Sequence, residues 1–482
     1  MRFNTLTGTL RKITTLVFFL VALASVAFAG SGGYRIEVEL QHYTGDTLKL
    51  GYYFGKAQYL KDTTIINKGK FVFEGKEPLE PGVYLLVIPP DNKFIHVLIP
   101  EDEQQFSLTV DMDDIVKSAK FKGSDENDIY YDYLKQLDAF RPRADELRKL
   151  IKEDSTKKET YETELSKIDD SVKKLQDNMV AKHPTSMTAM LIKANQEIDI
   201  PKYPELSEED RKQKQYEFYR AHYFDNFDLG DKRAIRSGLI QNKIDFYTQK
   251  LTYPMPDSQI IAIDYLLKKM ENNADAFQYY LVYFLNDAAK SKRMGMDAVY
   301  VHLVDNYYST GKATWADEDQ VKKLKTQAEG IRPTLIGKIA PDLTLWTESG
   351  QPVTIHGIES PYTVLFFWDP ECGHCKKATP FVVDFYNEYK DKGVKVLAIC
   401  TKTGDDISEC WSTVKERGMD VFVNTADQYL RSRYKSIYDV KTTPQIFILD
   451  KNKKILVKKI AGEDLKSVMD ELLRADAAKE KE

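Results

Sequence analysis

The stretch Phe366-Phe-Trp-Asp-Pro-Glu-Cys-Gly-His-Cys-Lys-Lys-Ala-Thr-Pro380 decides how the C-terminal part of this chain folds. The apolar run at 364–368 predicts a buried strand, and Asp369-Pro370 ends it because proline cannot donate to a strand ladder. Cys372 then stands where a helix begins, and Cys375 lies one turn further on. Free N–H groups and the helix dipole favour a thiolate at such a terminus. The spacing therefore predicts a redox dithiol with Cys372 as the attacking and Cys375 as the resolving sulfur.

Three further features frame the dithiol. Pro380 follows Cys375 closely enough to kink the helix. Thr443-Pro444 precedes a second apolar strand, and Gly337-Lys-Ile-Ala-Pro-Asp342 leads into the first strand of the unit. Strands and helices are predicted to alternate from there, with strands at 363–368, 395–400, 445–449 and 454–460 and helices at 372–389, 408–417 and 465–473.

Together these motifs make residues 336–475 resemble a thioredoxin-fold domain of the TlpA/ResA-like thiol–disulfide oxidoreductases. The resemblance implies that the bond between Thr443 and Pro444 is cis and faces the dithiol. We expect Trp368 to pack beneath the two sulfurs and Pro444 to leave a backbone edge open for an extended substrate. The dipeptide Gly373-His374 is the one found in protein disulfide isomerase, and His374 could stabilise a thiolate when protonated.

One position departs from the thioredoxin pattern. Thioredoxin carries a buried carboxylate six residues before its first cysteine, which accepts the proton of the second, and this chain has Phe366 there. Glu371 is nearer to the dithiol, but we expect it to be more exposed and to raise the pKa of Cys372. The departure leaves open how Cys375 is deprotonated.

Two other uses of the motif are excluded by reading the sequence. Covalent haem attachment needs a histidine after the second cysteine, and position 376 is Lys376. A peroxiredoxin would carry threonine three residues and proline seven residues before its reactive cysteine, where this chain has Asp369 and Leu365. A peroxidase is therefore not expected.

Cys400 and Cys410 form a second pair. A zinc site would need four ligands, and these two could complete one with the dithiol, but their spacing of ten is not that of a zinc knuckle. No metal is therefore expected. An exported protein with an even number of cysteines permits a structural disulfide between them. Buried free thiols are the open alternative, since cysteine is a good core residue.

The totals indicate a multidomain globular protein. The 482 residues are too many for one ordinary domain, and 42% hydrophobic residues permit a sizeable core. A net charge of −5 gives no case for nucleic acid as a partner. We divide the chain into a signal peptide at 1–29, a β-sandwich-like domain at 33–122, an α-helical domain at 123–332, a thioredoxin-like domain at 333–476 and a charged tail at 477–482, with 330–333 as the linker before the thioredoxin-like domain.

The N-terminus has the pattern of an export signal. Arg2, Arg11 and Lys12 precede an apolar run at 16–26, and Ala27-Phe28-Ala29 fits a cleavage site. We expect cleavage after Ala29 and a periplasmic or otherwise exported protein; without cleavage the same run would tether it to a membrane.

The N-terminal domain shows period-2 alternation. Residues 34–40 place Tyr34, Ile36 and Val38 on one face, and similar runs follow at 47–53, 70–74, 83–88, 94–99 and 106–110. Such spacing predicts a small antiparallel β-sandwich. It resembles uncharacterised β domains that precede thioredoxin-like domains in some bacterial envelope proteins. His42 and His96 stand apart from any second ligand, and we interpret them as structural or surface histidines.

The region from 126 to 328 has a helical pattern, with helices predicted at 208–224, 257–271, 274–289 and 297–308. One stretch carries a heptad seam, formed by Tyr161, Leu165, Ile168, Val172, Leu175 and Met179. It predicts an intramolecular helical pair or, as the alternative, a dimerising coiled coil. The aromatic residues at 216–227 and 277–284 are expected to form core, with a binding groove as the alternative.

The sequence thus predicts an exported thiol–disulfide oxidoreductase, with reduction favoured over oxidation or isomerisation. Its partners would be protein thiols and disulfides together with an envelope electron donor or acceptor. No small-molecule cofactor is expected, because the two sulfurs carry the chemistry. The alternative is an envelope protein that binds ligands or partners and has a vestigial redox domain.

Overall fold

The structure is a computed structural model that describes residues 32–153 and 155–479. The predicted signal peptide at 1–29 and the end of the charged tail lie outside the described residues. Within the described ranges, no helix combines the length and the apolar character needed to span a membrane. The chain has an N-terminal β-rich part, a central helical part and a C-terminal sheet flanked by helices, as the sequence predicts.

The N-terminal part consists of two four-stranded sheets around one apolar core. One sheet has the order β4-β1-β7-β8 and the other β3-β2-β5-β6. The alternating residues Ile36 and Val38 of β1 are completely buried between them. The elements are β1 (Tyr34–Gln41), β2 (Thr47–Phe54), β3 (Ala57–Ile65), β4 (Phe71–Gly75), β5 (Gly82–Ile88), β6 (Lys93–Ile99), β7 (Gln105–Asp111), α1 (Ile115–Ser118) and β8 (Lys120–Lys122).

The prediction of a purely antiparallel sandwich is wrong at one pair of strands. β1 and β7 run parallel, with Arg35 opposite Gln105 and Gln41 opposite Asp111. The other pairings in both sheets are antiparallel. Parallel neighbours require a long crossover, and here the four strands of the second sheet together with β4 form it.

The central part is an array of helices. The helix α2 begins at Asp125 with Ser124 as its N-cap, where the side chain accepts a hydrogen bond from the amide of Asn127. The elements are α2 (Asp125–Asp138), α3 (Arg141–Glu153), α4 (Lys158–Lys182), α5 (Met187–Asn195), α6 (Glu208–His222), α7 (Ile240–Lys250), α8 (Pro256–Lys269), α9 (Ala274–Lys290), α10 (Asp297–Leu303) and α11 (Glu318–Ile331).

The heptad seam lies on α4 and contacts its own chain. α3 and α4 form a hairpin, in which Arg143 makes a two-pronged ion pair with Glu164 at 2.8 Å. The C-terminal end of the seam, at Met179, joins a small core with Tyr133 and Ile192. Of the aromatic residues in the two dense stretches, five are buried in the main core of the helical part and five more are partly buried against it; the buried ones are Tyr223, Phe224, Phe227, Tyr280 and Phe284. The predictions of an intramolecular helical pair and of an aromatic core are therefore confirmed.

The C-terminal part is a seven-stranded sheet of order β10-β9-β13-β12-β11-β14-β15. β11 is central and completely buried on both faces, pairing in parallel with β12 and antiparallel with β14. The arrangement is consistent with a thioredoxin fold. The elements are β9 (Thr344–Trp346), β10 (Pro352–Thr354), β11 (Tyr362–Trp368), α12 (Gly373–Tyr389), β12 (Val394–Cys400), α13 (Ile407–Glu416), β13 (Val423–Ala426), α14 (Tyr434–Ile437), β14 (Gln445–Leu449), β15 (Ile455–Lys458) and α15 (Leu465–Lys479).

The connection between the helical part and this sheet is structured. The stretch 330–333, predicted as a linker, instead forms the end of α11 and a 3-10 turn, and Arg332 there pairs with Asp305. The chain then runs beside β15, where the amide of Gly337 donates to the carbonyl of Ile455 at 2.8 Å. Lys458 of β15 forms a buried ion pair with Asp297, the first residue of α10. These contacts fix the helical part against the C-terminal sheet.

Candidate active site

Cys372 lies at the N-terminus of α12, directly beyond the central strand β11. Asp369 shapes the connecting turn, since its Oδ1 accepts a hydrogen bond from the amide of Glu371 at 2.9 Å. Cys372 has extended backbone angles and is the N-cap of α12, and its Sγ accepts a hydrogen bond from the amide of Cys375 at 3.3 Å. The free N–H groups of the first turn and the helix dipole therefore face this sulfur.

The two cysteines of the motif differ in exposure and in acidity. Cys372 is partly exposed, whereas Cys375 is completely buried. Burial would raise the pKa of Cys372, but hydrogen bonds from the side chains of Cys375 and Thr443 and from the amides of Cys375 and His374 together lower the pKa below that of an ordinary cysteine. Burial raises the pKa of Cys375 to about 12. The first sulfur is thus prepared to react as a thiolate, and the second is held as a thiol.

The segment 443–444 faces the dithiol. The Sγ of Cys372 donates to the carbonyl oxygen of Thr443 at 3.2 Å. The peptide bond between Thr443 and Pro444 is cis, as the resemblance implies. β14 begins directly afterwards, at Gln445.

The other residues of the motif differ in how deeply they are buried. Trp368 is 1% exposed and belongs to the same apolar cluster as Cys375. Pro380 lies inside α12, and Thr379 before it donates from Oγ1 to the carbonyl of Cys375 at 2.8 Å. Gly373 and His374 are exposed in the first turn of α12. His374 is therefore positioned to meet a partner that approaches Cys372.

The position that holds a carboxylate in thioredoxin is apolar here. Phe366 is completely buried in the core beneath the dithiol. Glu371 is exposed, as predicted, and pairs with Lys402 at 2.5 Å. The sequence analysis expects Glu371 to raise the pKa of Cys372. The pKa of Cys372 is nevertheless lowered, although burial acts to raise it.

Two residues that hold the active-site turn were missed by the sequence analysis. Arg417 donates from Nη2 to the carbonyl of Pro370 at 2.7 Å, and Thr401 donates from Oγ1 to Asp369 at 3.2 Å. Both come from segments that lie near the turn only in the folded chain. Their one sequence signal is their position, since Thr401 directly follows a predicted strand and Arg417 is the last residue of a predicted helix.

Cys400 and Cys410 are joined in a disulfide. The bond ties the end of β12 to α13, and both residues are buried. Of the two alternatives, the structure therefore has the structural disulfide. These sulfurs are not part of the Cys372 site, and the dithiol itself is in its free form.

The interpretation of His42 as standing apart is wrong. Its Nδ1 lies 2.8 Å from Asp111 and 3.3 Å from Asp113, and a hydrogen bond to Asp111 raises the pKa of His42. The three groups lie close enough together to hold a cation, but they are largely exposed. His96 is partly buried in β6, and burial lowers its pKa.

Three known families match successive parts of the chain. The model of the AhpC/TSA family matches residues 336–458. Two families described only as domains of unknown function, DUF5106 and DUF4369, match residues 152–332 and 34–130. The last two matches add no activity.

Individual relatives concern mainly the C-terminal part. The thiol-disulfide oxidoreductase ResA of Bacillus thuringiensis subsp. konkukian is 25% identical over 139 residues, which is 29% of this chain and 77% of the relative. ResA of Bacillus subtilis is 27% identical over 128 residues, covering 26% of this chain and 67% of its own.

Solved structures are also similar. A domain of a possible thiol-disulfide isomerase from Cytophaga hutchinsonii is 31% identical, covering 31% of this chain and 97% of its own, with a TM-score of 0.28. A thioredoxin-like protein from Bacteroides caccae is 20% identical, covering 57% and 98%, with a TM-score of 0.44.

The dithiol at the start of α12, the cis proline opposite it, the family match and the ResA relatives agree with one another. The C-terminal part of this chain is a thioredoxin-like domain that matches the AhpC/TSA family, and ResA-like thiol–disulfide oxidoreductases are among its relatives.

Proposed function

We propose that this protein is an exported protein-disulfide reductase that works through the Cys372-Gly-His-Cys375 motif. The observation that carries the proposal is the asymmetry of the two sulfurs. Cys372 is accessible and has a lowered pKa, whereas Cys375 is buried and has a pKa of about 12. A dithiol of this kind attacks with one sulfur and resolves with the other.

The reaction has two steps. The thiolate of Cys372 attacks one sulfur of a client disulfide, an S–S bond forms to the client, and the other client sulfur leaves as a thiolate and takes a proton. Cys375 then loses its proton and attacks the Sγ of Cys372. The mixed disulfide breaks, the second client sulfur leaves as a thiolate that takes a proton from water, and Cys372 and Cys375 are joined. Two electrons pass to the client, and a dithiol donor must return them to the enzyme.

In this proposal the group that accepts the proton of Cys375 comes from the client and not from the protein itself. Phe366 cannot accept a proton, and the pKa of Cys375 is high because of burial. The leaving client thiolate is formed next to the dithiol in the first step and is basic. We therefore assign it the proton of Cys375, which couples release of the client thiol to closure of the disulfide.

The reductive direction follows the TlpA/ResA resemblance, and the dipeptide Gly373-His374, shared with protein disulfide isomerase, makes isomerisation the alternative outcome. The two sulfurs carry the electrons, so the proposed reaction needs no further cofactor. Export is inferred from the signal-peptide pattern of residues 1–29, with cleavage after Ala29. Disulfides persist outside the cytosol, so client disulfides would be present there.

Reduction of insulin in the presence of dithiothreitol tests this function. The wild-type protein should accelerate precipitation of the insulin B chain, and Cys372→Ser should lower the rate to that of dithiothreitol alone. Cys375→Ser is the matched control, because it keeps the attacking sulfur. This variant should form a mixed disulfide with insulin without turning over. A wild-type protein that accelerates nothing would contradict the proposal and favour a binding protein with a vestigial redox domain.

A further inference from the structure

A groove of about 900 Å³ opens beside the dithiol, between the thioredoxin-like domain and the helical part. His374, Thr443 and Pro444 line the end of the groove at the active site. The opposite wall is the loop 291–296, which joins α9 to α10. The volume lies at the upper end of that of ligand pockets, and it exceeds what one cysteine side chain would occupy.

The loop 291–296 is fixed in place by its own fold and by the neighbouring domain. Gly295 has a φ of +80°, which favours glycine, and a Cβ there would lie 3.0 Å from Pro256. Met296 is buried, and Asp297 directly after it pairs with Lys458 of β15. Lys458 also donates to the carbonyl of Thr334 at 2.8 Å. The wall contributed by the helical part therefore keeps its position relative to the dithiol.

The groove is basic, although the chain as a whole has a net charge of −5. Six cationic side chains line it, against three carboxylates, those of Asp297, Asp439 and Glu463. Asp297 is paired with Lys458, and Asp439 is shared between two lysines. The cations are Lys292, Arg293, Lys377, Lys441, Lys458 and Lys459.

Three of these cations are free to meet a ligand. Lys292, Arg293 and Lys377 are exposed and make no ion pair with any residue that the structure describes. Lys377 stands one turn beyond His374 on α12, and the other two stand on the facing loop. Unpaired charges on both walls give the groove a positive potential that attracts anionic groups.

We propose that this groove binds an extended acidic segment of the client polypeptide next to its disulfide, and that the loop 291–296 selects the acidic residues. The inference rests on the proposed function, because the client sulfur must meet Cys372 at the end of the groove. Carboxylates of the client pair with Lys292 and Arg293, and the exposed side chain of Met294 offers an apolar contact between client residues. The helical part is thereby a specificity element of the redox site.

The chemistry remains that of the dithiol. Cys372 attacks the client sulfur, an S–S bond forms between them, and the second client sulfur leaves with a proton. Binding in the groove raises the rate of this first step by bringing the client disulfide to Cys372. It has no effect on how the electrons are later restored by a dithiol donor.

The test uses short peptides that differ only in the residues around one cysteine, with glutamate, glutamine or lysine flanking it. Each peptide carries its cysteine as a mixed disulfide with thionitrobenzoate, whose release by attack on the peptide sulfur is followed by absorbance. The full-length reduced protein is used, and hydroxyethyl disulfide, which is small and neutral, is the reference substrate. Each peptide rate is divided by the hydroxyethyl disulfide rate of the same sample, which corrects for loss of folded dithiol.

At low salt the wild-type protein should react about tenfold or more faster with the glutamate peptide than with the lysine peptide, because complementary charge raises association rates by about 10- to 1000-fold. The double variant Lys292→Glu/Arg293→Glu should lower this ratio by about tenfold. Its matched control is Lys152→Glu/Lys174→Glu, which changes the same charge on exposed residues of α3 and α4 and should keep the wild-type ratio. The preference should also weaken as salt rises.

Equal rates with all three peptides, in a protein that reduces hydroxyethyl disulfide, would overturn the groove inference and leave the proposed function intact. A preference that survives the loop variant would overturn it as well. A wild-type protein that reacts with neither the peptides nor hydroxyethyl disulfide would refute the proposed function, and the groove inference with it.

Discussion

Replacement of Lys458 by methionine should loosen the contact between the helical part and the thioredoxin-like domain. Lys458 is 2% exposed, and its charge is balanced by Asp297. Burial lowers the pKa of Lys458, and Asp297 opposes that effect. The buried carbonyl of Thr334 also accepts a hydrogen bond from Lys458 at 2.8 Å. Methionine keeps the length of the side chain but removes the charge and the donor.

The size of the effect follows from the groups left behind. Removing one partner of a buried ion pair costs about 3–5 kcal/mol. Although 18% of the Asp297 side chain is exposed, both of its carboxylate oxygens are buried, so water does not replace the lost partner and the upper end, about 5 kcal/mol, is expected. Loss of the donor to Thr334 adds about 1 kcal/mol. Adding Asp297→Asn to Lys458→Met should recover about 2 kcal/mol, because it removes the uncompensated charge.

Urea unfolding measures these differences. Trp346, Trp368 and Trp411 lie in the thioredoxin-like domain and Trp315 lies in the helical part, so tryptophan fluorescence follows the two packed parts. Lys451→Met is the control, because Lys451 is exposed and makes no ion pair among the described residues. A Lys458→Met protein that is as stable as the Lys451→Met control, or a double variant that recovers nothing, would refute the role given to this ion pair.

Four other predictions concern the thiols and the loop beside the groove. Because the pKa of Cys372 is lowered, the rate of its alkylation by iodoacetamide should reach half its maximum below pH 8.5, about the ordinary cysteine pKa; a midpoint at or above that pH would contradict the hydrogen-bonding account. The lowered pKa of Cys372 also predicts a pH dependence of stability. Between the folded pKa of Cys372 and about pH 8.5 the unfolded chain binds the thiol proton more tightly than the folded protein, so the free energy of unfolding of the reduced protein should rise with pH relative to that of Cys372→Ser. Replacing Cys400 and Cys410 by alanine, in a Cys372→Ser/Cys375→Ser background, should lower the free energy of unfolding by about 2.5 kcal/mol, because the disulfide closes a loop with a sequence separation of 10. An unchanged urea unfolding transition would mean that the disulfide does not stabilise the fold. Gly295→Ala should destabilise the protein by about 1–2 kcal/mol more than Gly311→Ala, because both glycines have a positive φ but only at Gly295 would a Cβ lie close to other atoms. Equal decreases in the unfolding temperatures of the two variants would show that the loop 291–296 can move to accept a Cβ.

The strands that the sequence predicted have at least one buried face. β1 alternates between buried and exposed residues, and its pattern is visible without the structure. β3 was not predicted, because every residue from Ala57 to Ile65 is exposed or only partly buried and the strand has no buried apolar face. The parallel pairing of β1 with β7 was also missed, since a strand's own sequence does not specify its neighbour.

The residues of the site also fall into those that local sequence predicts and those that it does not. Cys372, Cys375 and Pro380 lie within one helix, so local spacing was enough to predict them. Arg417, Lys458 and the loop 291–296 reach the site from distant segments, and no local pattern marks them. Lys458 in particular stands in a short apolar strand, where a lysine conflicts with the pattern unless a partner such as Asp297 balances it. Contacts of this kind depend on how the domains meet.

Redox titration of the dithiol tests the central claim most directly. The full-length protein is equilibrated in dithiothreitol or glutathione buffers of known potential, and the free thiols of Cys372 and Cys375 are then labelled and located by mass spectrometry. We expect a reversible two-electron transition between these two sulfurs with a midpoint below about −240 mV, in the range of reducing dithiols of this fold. A midpoint above about −190 mV, or the lack of any reversible disulfide between Cys372 and Cys375, would contradict it.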